Sequence, residues 1–157
     1  MKIGMVSLGC PKNQTDAEIM LGILADKGHI PVADPAEAEV IIVNTCGFID
    51  PAKQESIDAV LEMAEYKESG NCRLLIMTGC LAERYHEEVK KELPEVDAIV
   101  GAGDFDKIGN IVKLWVQACH CGVHVFFNNL FNQFIHNSTP FRYYQFSYIT
   151  LPSTIVT

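Results

Sequence analysis

Three cysteines recur in one kind of local setting along the chain. Cys10 lies in "VSLGCPKNQ", Cys46 in "VNTCGFID" and Cys80 in "MTGCLAERY", and each closely follows an apolar run typical of a buried strand. A thiolate at such a position can ligate a metal or act as a nucleophile. Three thiols in matching settings therefore predict one shared site.

The overall charge and the start of the chain limit the classes of function. The 157 residues carry a formal net charge of −8, which argues against a large basic surface for nucleic acid. The apolar run before Pro11 is too short for the core of a signal peptide, so we expect a cytoplasmic protein without a membrane anchor. In a reducing compartment, six cysteines favour metal binding or catalysis over a disulfide framework.

The composition changes sharply after Lys113. Residues 1–113 contain all 20 acidic side chains and 11 of the 12 Lys and Arg, whereas Arg142 is the one formally charged residue of 114–157. Ten of the 14 aromatic residues lie in this second segment, without a helical or strand period. We therefore predict one domain over 1–113 and an atypical aromatic-rich tail over 114–157, disordered or out of frame and poorly packed from residue 114.

Part of this tail, "LWVQACHCGVHVFFNNLFNQFI", is long enough to span a membrane. Its many Asn, Gln and His side chains would each need a partner in hydrocarbon, where an unsatisfied polar group costs several kcal/mol. The composition therefore disfavours a membrane helix.

Strands and helices alternate along residues 1–113. Predicted strands cover 2–8, 29–33, 39–44, 73–79 and 97–101, and helices are predicted from Thr15 or Asp16 to Lys27, from Asp50 to before Gly70, over 81–93 and over 105–113. This order predicts βαβ units and hence an α/β fold. We expect a doubly wound, Rossmann-like or flavodoxin-like three-layer sandwich with a mostly parallel five-stranded sheet.

The predicted topology brings the three thiols together. With the strand order 2-1-3-4-5, the strands that precede Cys10, Cys46 and Cys80 are neighbours about 4.8 Å apart, so the thiols gather within roughly 10 Å along one edge. Each thiol also precedes a helix, whose N-terminal N–H groups lower thiol pKa values.

The number of thiols indicates which chemistry the edge supports. Three thiolates are one fewer than a structural zinc site uses and more than a single nucleophile needs. An iron–sulfur cluster with one iron left open fits the number better. The alternative is that these cysteines are small apolar core residues, which is the role expected for Cys72 at the far end of its strand. Cys119 and Cys121, which flank His120 in the tail, are a weak metal signal.

The motifs "SLGCPKN", "NTCGFI" and "TGCLAERY", in this order and at these intervals, resemble the N-terminal domain of the radical-SAM methylthiotransferases. The resemblance covers residues 1–113. It is greatest to the RimO branch, which modifies an aspartate of a small-subunit ribosomal protein. The MiaB-like branch, which modifies tRNA, usually has Gln-Met where this chain has Pro11 and Lys12, and usually lacks "GFI".

The resemblance implies a function and a set of ligands. Cys10, Cys46 and Cys80 would bind an auxiliary [4Fe-4S] cluster whose open iron holds the sulfur to be inserted. The family's S-adenosylmethionine-binding cluster needs a CxxxCxxC motif, which this sequence lacks. We therefore expect a fragment that is inactive alone, and we assign no catalytic residue.

Two hypotheses from other classes remain open. The acidic domain could be a non-catalytic module that binds a basic ribosomal partner. It could also be a thiol or zinc protein on a flavodoxin-like scaffold. Binding of small-subunit proteins that survives replacement of all three cysteines would favour the docking module over a cluster carrier. Stoichiometric zinc without acid-labile sulfide would favour the zinc protein.

Overall fold

The computed structural model describes residues 1–120 and contains one sheet of five parallel strands. The strands are β1 (Lys2–Ser7), β2 (Ile30–Val32), β3 (Val40–Thr45), β4 (Leu74–Gly79) and β5 (Ala98–Gly101). Their spatial order is β2-β1-β3-β4-β5 and every neighbouring pair is parallel. The predicted α/β class and strand order are confirmed.

The two central strands are buried along their whole length. All residues of β3 and of β4 are inaccessible to solvent, which agrees with the unbroken apolar runs from which both strands were predicted. A strand with this pattern has to be covered on both faces, so the sheet requires a layer of helices on each side.

Helices supply both layers. They are α1 (Pro11–Asp26), α2 (Asp50–Ala64), α3 (Tyr66–Ser69), α4 (Cys80–Arg84), α5 (His86–Glu92) and α6 (Ile108–His120). On one face, Met20 and Leu24 of α1 and Val112 of α6 pack against the sheet. On the other face, Val60 of α2 and Val89 of α5 do so. The three-layer sandwich is therefore confirmed.

The first helix begins earlier than predicted. The expected start was Thr15 or Asp16, but α1 starts at Pro11, and Cys10 is its N-cap residue with an extended backbone. Proline suits the first helical position because its fixed φ is already helical and its missing N–H is not needed there. The first thiol therefore lies directly at a helix N-terminus.

The helix predicted over 81–93 is two helices. Tyr85 separates α4 from α5 with φ −121° and ψ 36°, outside the helical region. Its ring lies 5.0 Å from Nζ of Lys53 on α2, so Tyr85 links the two helices to a third. The break also makes α4 a short helix that begins at Cys80.

The predicted boundary after Lys113 falls inside α6, which continues to His120. The expectation of poor packing from residue 114 is wrong for Trp115, whose side chain is buried in the core beside α1. The remainder of the predicted tail, 121–157, lies outside the described residues, and so does most of the segment considered as a membrane span. In the part of the chain that the structure describes, no helix combines the length and apolar character that crossing a membrane requires.

Candidate functional site

The strands that precede the three predicted ligands end at the same edge of the sheet. Ser7 of β1 pairs with Asn44 of β3, and Thr45 of β3 pairs with Gly79 of β4. Because the strands are parallel and in this register, their carboxyl ends are level. In a doubly wound sheet this edge is where ligands bind.

Cys10 is exposed and lies at the N-terminus of α1. The backbone N–H groups of Asn13 and Lys12 hydrogen bond to its sulfur, and these bonds hold the pKa of the thiol below its ordinary value. The helix therefore favours the thiolate, which is the form that ligates metals.

Cys46 directly follows β3 and is 8% exposed. Its backbone N–H donates to Oγ of Ser56 at 3.0 Å, and the Ser56 hydroxyl donates to the Cys46 carbonyl at 3.0 Å. Ser56 lies on α2 and is fully buried. Both backbone groups of Cys46 are thus anchored to one helix residue.

Cys80 is the first residue of α4 and is half-buried. It follows Gly79, whose φ of 97° allows the chain to turn out of the strand. Its sulfur donates to Oδ1 of Asn13 at 3.9 Å. A residue of the first cysteine loop therefore contacts the third thiol.

The cysteine loops lie against one another. A Cβ atom on Gly9 would be 2.6 Å from Cβ and 2.9 Å from Sγ of Cys46. A Cβ atom on Gly47 would be 2.9 Å from Cα of Leu81 and 3.2 Å from the carbonyl carbon of Cys80. Cβ atoms do not tolerate such contacts, so glycine is needed for these close approaches. The structure thus brings the three loops together.

A single metal ion does not have a complete set of ligands here. Among the side chains that the structure describes, those of residues 1–117, no group of three His, Cys, Asp or Glu converges in a way that could hold one ion. An iron–sulfur cluster takes its cysteine thiolates on separate irons, so its ligands surround a core instead of pointing at one atom. The donor set, three thiols on adjoining loops, suits such a cluster chemically.

The other cysteines are not part of this arrangement. Cys72 is buried just before β4, at the opposite end of that strand from Cys80, and packs in the core between the sheet and α2. Burial raises the pKa of its thiol, so the structure agrees with its predicted packing role. The side chains of Cys119, His120 and Cys121 lie outside the described residues.

A shallow apolar pocket borders the edge beside Cys80. Its volume is about 260 Å³, and it is lined by Gly47, Phe48, Cys80, Glu83, Arg84 and Ala102. Phe48 is 83% exposed and Ile49 is 54% exposed. The cysteine edge therefore presents apolar side chains to solvent next to Cys46.

Three polar residues of this site were not predicted from the sequence. Asn13, Asn44 and Ser56 are all buried and hydrogen bonded among the cysteine loops. Asn13 and Asn44 are adjacent to the motifs, at "CPKN" and "NTC", but a single Asn is equally typical of a turn or cap. Ser56 lies within the helical pattern of α2 and gives no local signal.

The fold and the edge define a class: a doubly wound α/β domain with three cysteines on adjoining loops at the carboxyl ends of its strands. Comparison with known proteins identifies the family. Residues 2–101 match the model described as "Uncharacterized protein family UPF0004", and the chain belongs to this family.

The curated relatives carry a more specific description. The chain is 60% identical over 113 residues to ribosomal protein uS12 methylthiotransferase RimO of Clostridioides difficile, covering 72% of this chain and 26% of the relative. Its identity to the RimO proteins of Geobacter sulfurreducens and Trichlorobacter lovleyi is 58% over 112 residues and 55% over 111, covering 71% of this chain and 25% of each relative. The predicted RimO-like resemblance is confirmed, and the chain spans about a quarter of the length of these relatives.

Proposed function

We propose that this domain binds one [4Fe-4S] cluster through Cys10, Cys46 and Cys80, as part of a RimO-type methylthiotransferase. The substrate of that enzyme would be an aspartate of a small-subunit ribosomal protein, which receives a methylthio group. The relatives, named as methylthiotransferases of ribosomal protein uS12, support this substrate class. Ribosomal proteins and reduced thiols both point to the cytoplasm.

The observation that carries the proposal is the contact between the three cysteine loops at the carboxyl edge. Gly9 lies against Cys46, and Gly47 lies against the backbone at Cys80. Residues far apart in sequence are thus placed side by side where ligands of this fold bind. A packing role would not account for Cys10, which is exposed and has a lowered thiol pKa.

The chain's own groups would prepare the thiols for the cluster. The N-terminus of α1 favours the thiolate of Cys10, and Ser56 fixes the backbone of Cys46. When bound, a cluster with three protein ligands supplies one iron with an open position for an external sulfur ligand. Phe48 and Ile49 add an apolar rim beside it.

Anaerobic reconstitution of the chain with ferrous iron and sulfide tests the proposal. We expect about four irons and four sulfides per chain, with Mössbauer and electron paramagnetic resonance spectra typical of a [4Fe-4S] cluster. Cys46→Ala should lose most of this iron, whereas Cys72→Ala, a matched thiol in the core, should keep it. A wild-type chain that takes up no iron and sulfide contradicts the proposal, and stoichiometric zinc without acid-labile sulfide would support the zinc alternative.

We also propose that these 157 residues do not catalyse methylthiolation alone. The sequence contains no CxxxCxxC motif for the S-adenosylmethionine-binding cluster of the radical-SAM enzymes. The reconstituted chain should therefore neither cleave S-adenosylmethionine reductively nor modify purified uS12.

A second candidate function is docking of a basic partner, and a groove beside α2 favours it. The groove has a volume of about 660 Å³ and combines apolar side chains with three acidic ones; its lining residues are Val6, Leu8, Pro51, Gln54, Glu55, Asp58, Ala59, Glu62 and Met63. This charge complements a basic, partly apolar segment of a ribosomal protein.

Binding of purified small-subunit proteins to immobilised chain tests this function. Asp58→Lys with Glu62→Lys should weaken the binding, whereas Glu18→Lys with Asp26→Lys on α1 is the matched control. Binding that survives replacement of all three edge cysteines favours a docking module over a cluster carrier. Equal binding by both charge variants would exclude the groove.

A further inference from the structure

Asn13 is buried at the centre of the three cysteine loops and is 1% exposed. Its Nδ2 donates to the carbonyl oxygen of Leu8 at 2.8 Å and to that of Thr45 at 3.1 Å. Leu8 precedes Cys10 by two residues, and Thr45 directly precedes Cys46. One amide group therefore joins the first loop to the second.

The other side of the same amide faces the third loop. With Nδ2 occupied by two carbonyls, Oδ1 is directed at the sulfur of Cys80, 3.9 Å away. Asn13 thus contacts the Cys80 thiol directly, holds the residue before Cys46 and bonds two residues before Cys10.

Asn44 holds Asn13 in turn. Its Nδ2 donates to the Asn13 carbonyl at 2.7 Å, and it is equally buried. Its Oδ1 packs against Gly79, where an added Cβ would lie 2.5 Å from it. Asn44 therefore spans from the first turn of α1 to the residue before Cys80.

We propose that Asn13, held by Asn44, is a positioning residue that sets the relative placement of the three thiols for the cluster. The inference rests on the proposed function, because it assigns Asn13 a task toward the same cluster. The Asn13 side chain bonds to a group within two residues of each of the three thiols. A buried amide that only stabilises a fold does not need to connect three separate loops in this way.

The bonds made by Asn13 explain why another residue would not replace it. The Leu8 and Thr45 carbonyls lie at the ends of their strands and need a donor, and Nδ2 of one primary amide donates to both. In the iron-free protein, Oδ1 of the same amide accepts from the Cys80 thiol. A ligand thiolate has lost that proton, so the bonds from Nδ2 are the ones that would persist with the cluster bound. Aspartate matches the shape of the amide but has no N–H, and alanine supplies neither a donor nor an acceptor.

Iron retention in the full chain tests the role of Asn13. Asn13→Ala and the near-isosteric Asn13→Asp are reconstituted beside wild type and then exposed to an iron chelator. Both variants should release iron about 10- to 100-fold faster, if the loss of metal affinity found when residues that orient metal ligands are changed is expressed in the release rate. Their reduced clusters should also give broadened or multiple electron paramagnetic resonance signals where wild type gives one.

Val112→Ala provides the matched control. Val112 is a fully buried residue of α6 in the core between α6 and the sheet, so its truncation lowers stability without touching the cysteine loops. It should lower the melting temperature but keep the iron release rate and the spectrum of wild type. An Asn13→Ala chain that loses stability in the same way yet keeps both cluster properties overturns the proposal.

Amide hydrogen exchange in the iron-free protein tests the role of Asn13 separately from the proposed cluster binding. In the apo protein, amide hydrogen exchange over residues 8–13, 44–47 and 79–81 should accelerate about 10-fold or more in Asn13→Ala relative to Val112→Ala, because the loops lose a shared tether. If wild type takes up no cluster, the proposed function fails, and exchange alone decides whether Asn13 orders the loops. Unchanged exchange in all three loops rejects that ordering.

Discussion

Gly9 and Cys46 are separated by 37 positions in the sequence, yet Gly9 lies so close to Cys46 that a side chain on Gly9 would not fit. A Cβ atom there would be 2.6 Å from the Cβ of Cys46, and the φ of Gly9 is 92°. The residue before the first thiol is thus in contact with the second. Because of this contact, a shift in either of the first two cysteine loops displaces the other.

Gly9→Ala should therefore destabilise the domain and disturb the edge. The new methyl group meets Cys46, and an L residue at this φ is strained, so we expect a loss of roughly 2–4 kcal/mol in the free energy of unfolding. Urea denaturation followed by circular dichroism measures it. Iron uptake after reconstitution should fall as well.

Gly22→Ala is the control for this substitution. Gly22 lies within α1, and an added Cβ there meets nothing within 4 Å. Alanine at a helical position without steric conflict should raise the stability by about 0.5–1 kcal/mol. If Gly9→Ala were as well tolerated as Gly22→Ala, the close approach of the two loops would be wrong.

Ser56→Ala should destabilise the loop at Cys46. The hydroxyl accepts from the Cys46 N–H and donates to its carbonyl, and alanine would leave both buried groups without this partner. We expect a cost of about 1–3 kcal/mol in the free energy of unfolding. Ser69→Ala, which removes one exposed bond to the Glu65 carbonyl, should stay within about 0.5 kcal/mol of wild type.

The thiols of the iron-free protein should differ in reactivity. The N–H groups at the start of α1 lower the pKa of exposed Cys10, whereas burial raises that of Cys72. The thiolate is the nucleophile, so alkylation of Cys10 by iodoacetamide should reach half its maximal rate at a lower pH than alkylation of an unstructured cysteine peptide. Peptide mass spectrometry over a pH series should show Cys72 reacting last, and equal rates for both thiols would contradict the assigned environments.

Sequence patterns were sufficient for the sheet because its two central strands are buried on both faces. The runs that became β3 and β4 are almost wholly apolar, and the helices between them carry helical spacing, so the βαβ order and the carboxyl edge followed. The placement of Cys10, Cys46 and Cys80 at that edge required only this topology. Their role as ligands stays a prediction.

The details that were missed depend on tertiary contacts. Tyr85 interrupts a stretch with good helical propensity where its ring meets Lys53 of α2, a contact that local periodicity cannot indicate. Asn13 and Ser56 bond to loops distant in sequence, which makes them look like ordinary surface residues in the sequence. Such residues become recognisable only when the partner loops are in place.

Trp115 locates the end of the folded domain beyond the change in composition at Lys113. Its ring is 7% exposed, packs in the core between α6 and the sheet, and lies 5.7 Å from the guanidinium of Arg73. Trp115→Ala should cost about 3–5 kcal/mol in the free energy of unfolding, the range for truncating a large buried aromatic residue. A chain ending at Lys113 should be less stable than one ending at His120 by at least as much. Equal stability of the chains ending at 113 and 120 would show that the domain ends where the composition changes, and that α6 needs only its first turns.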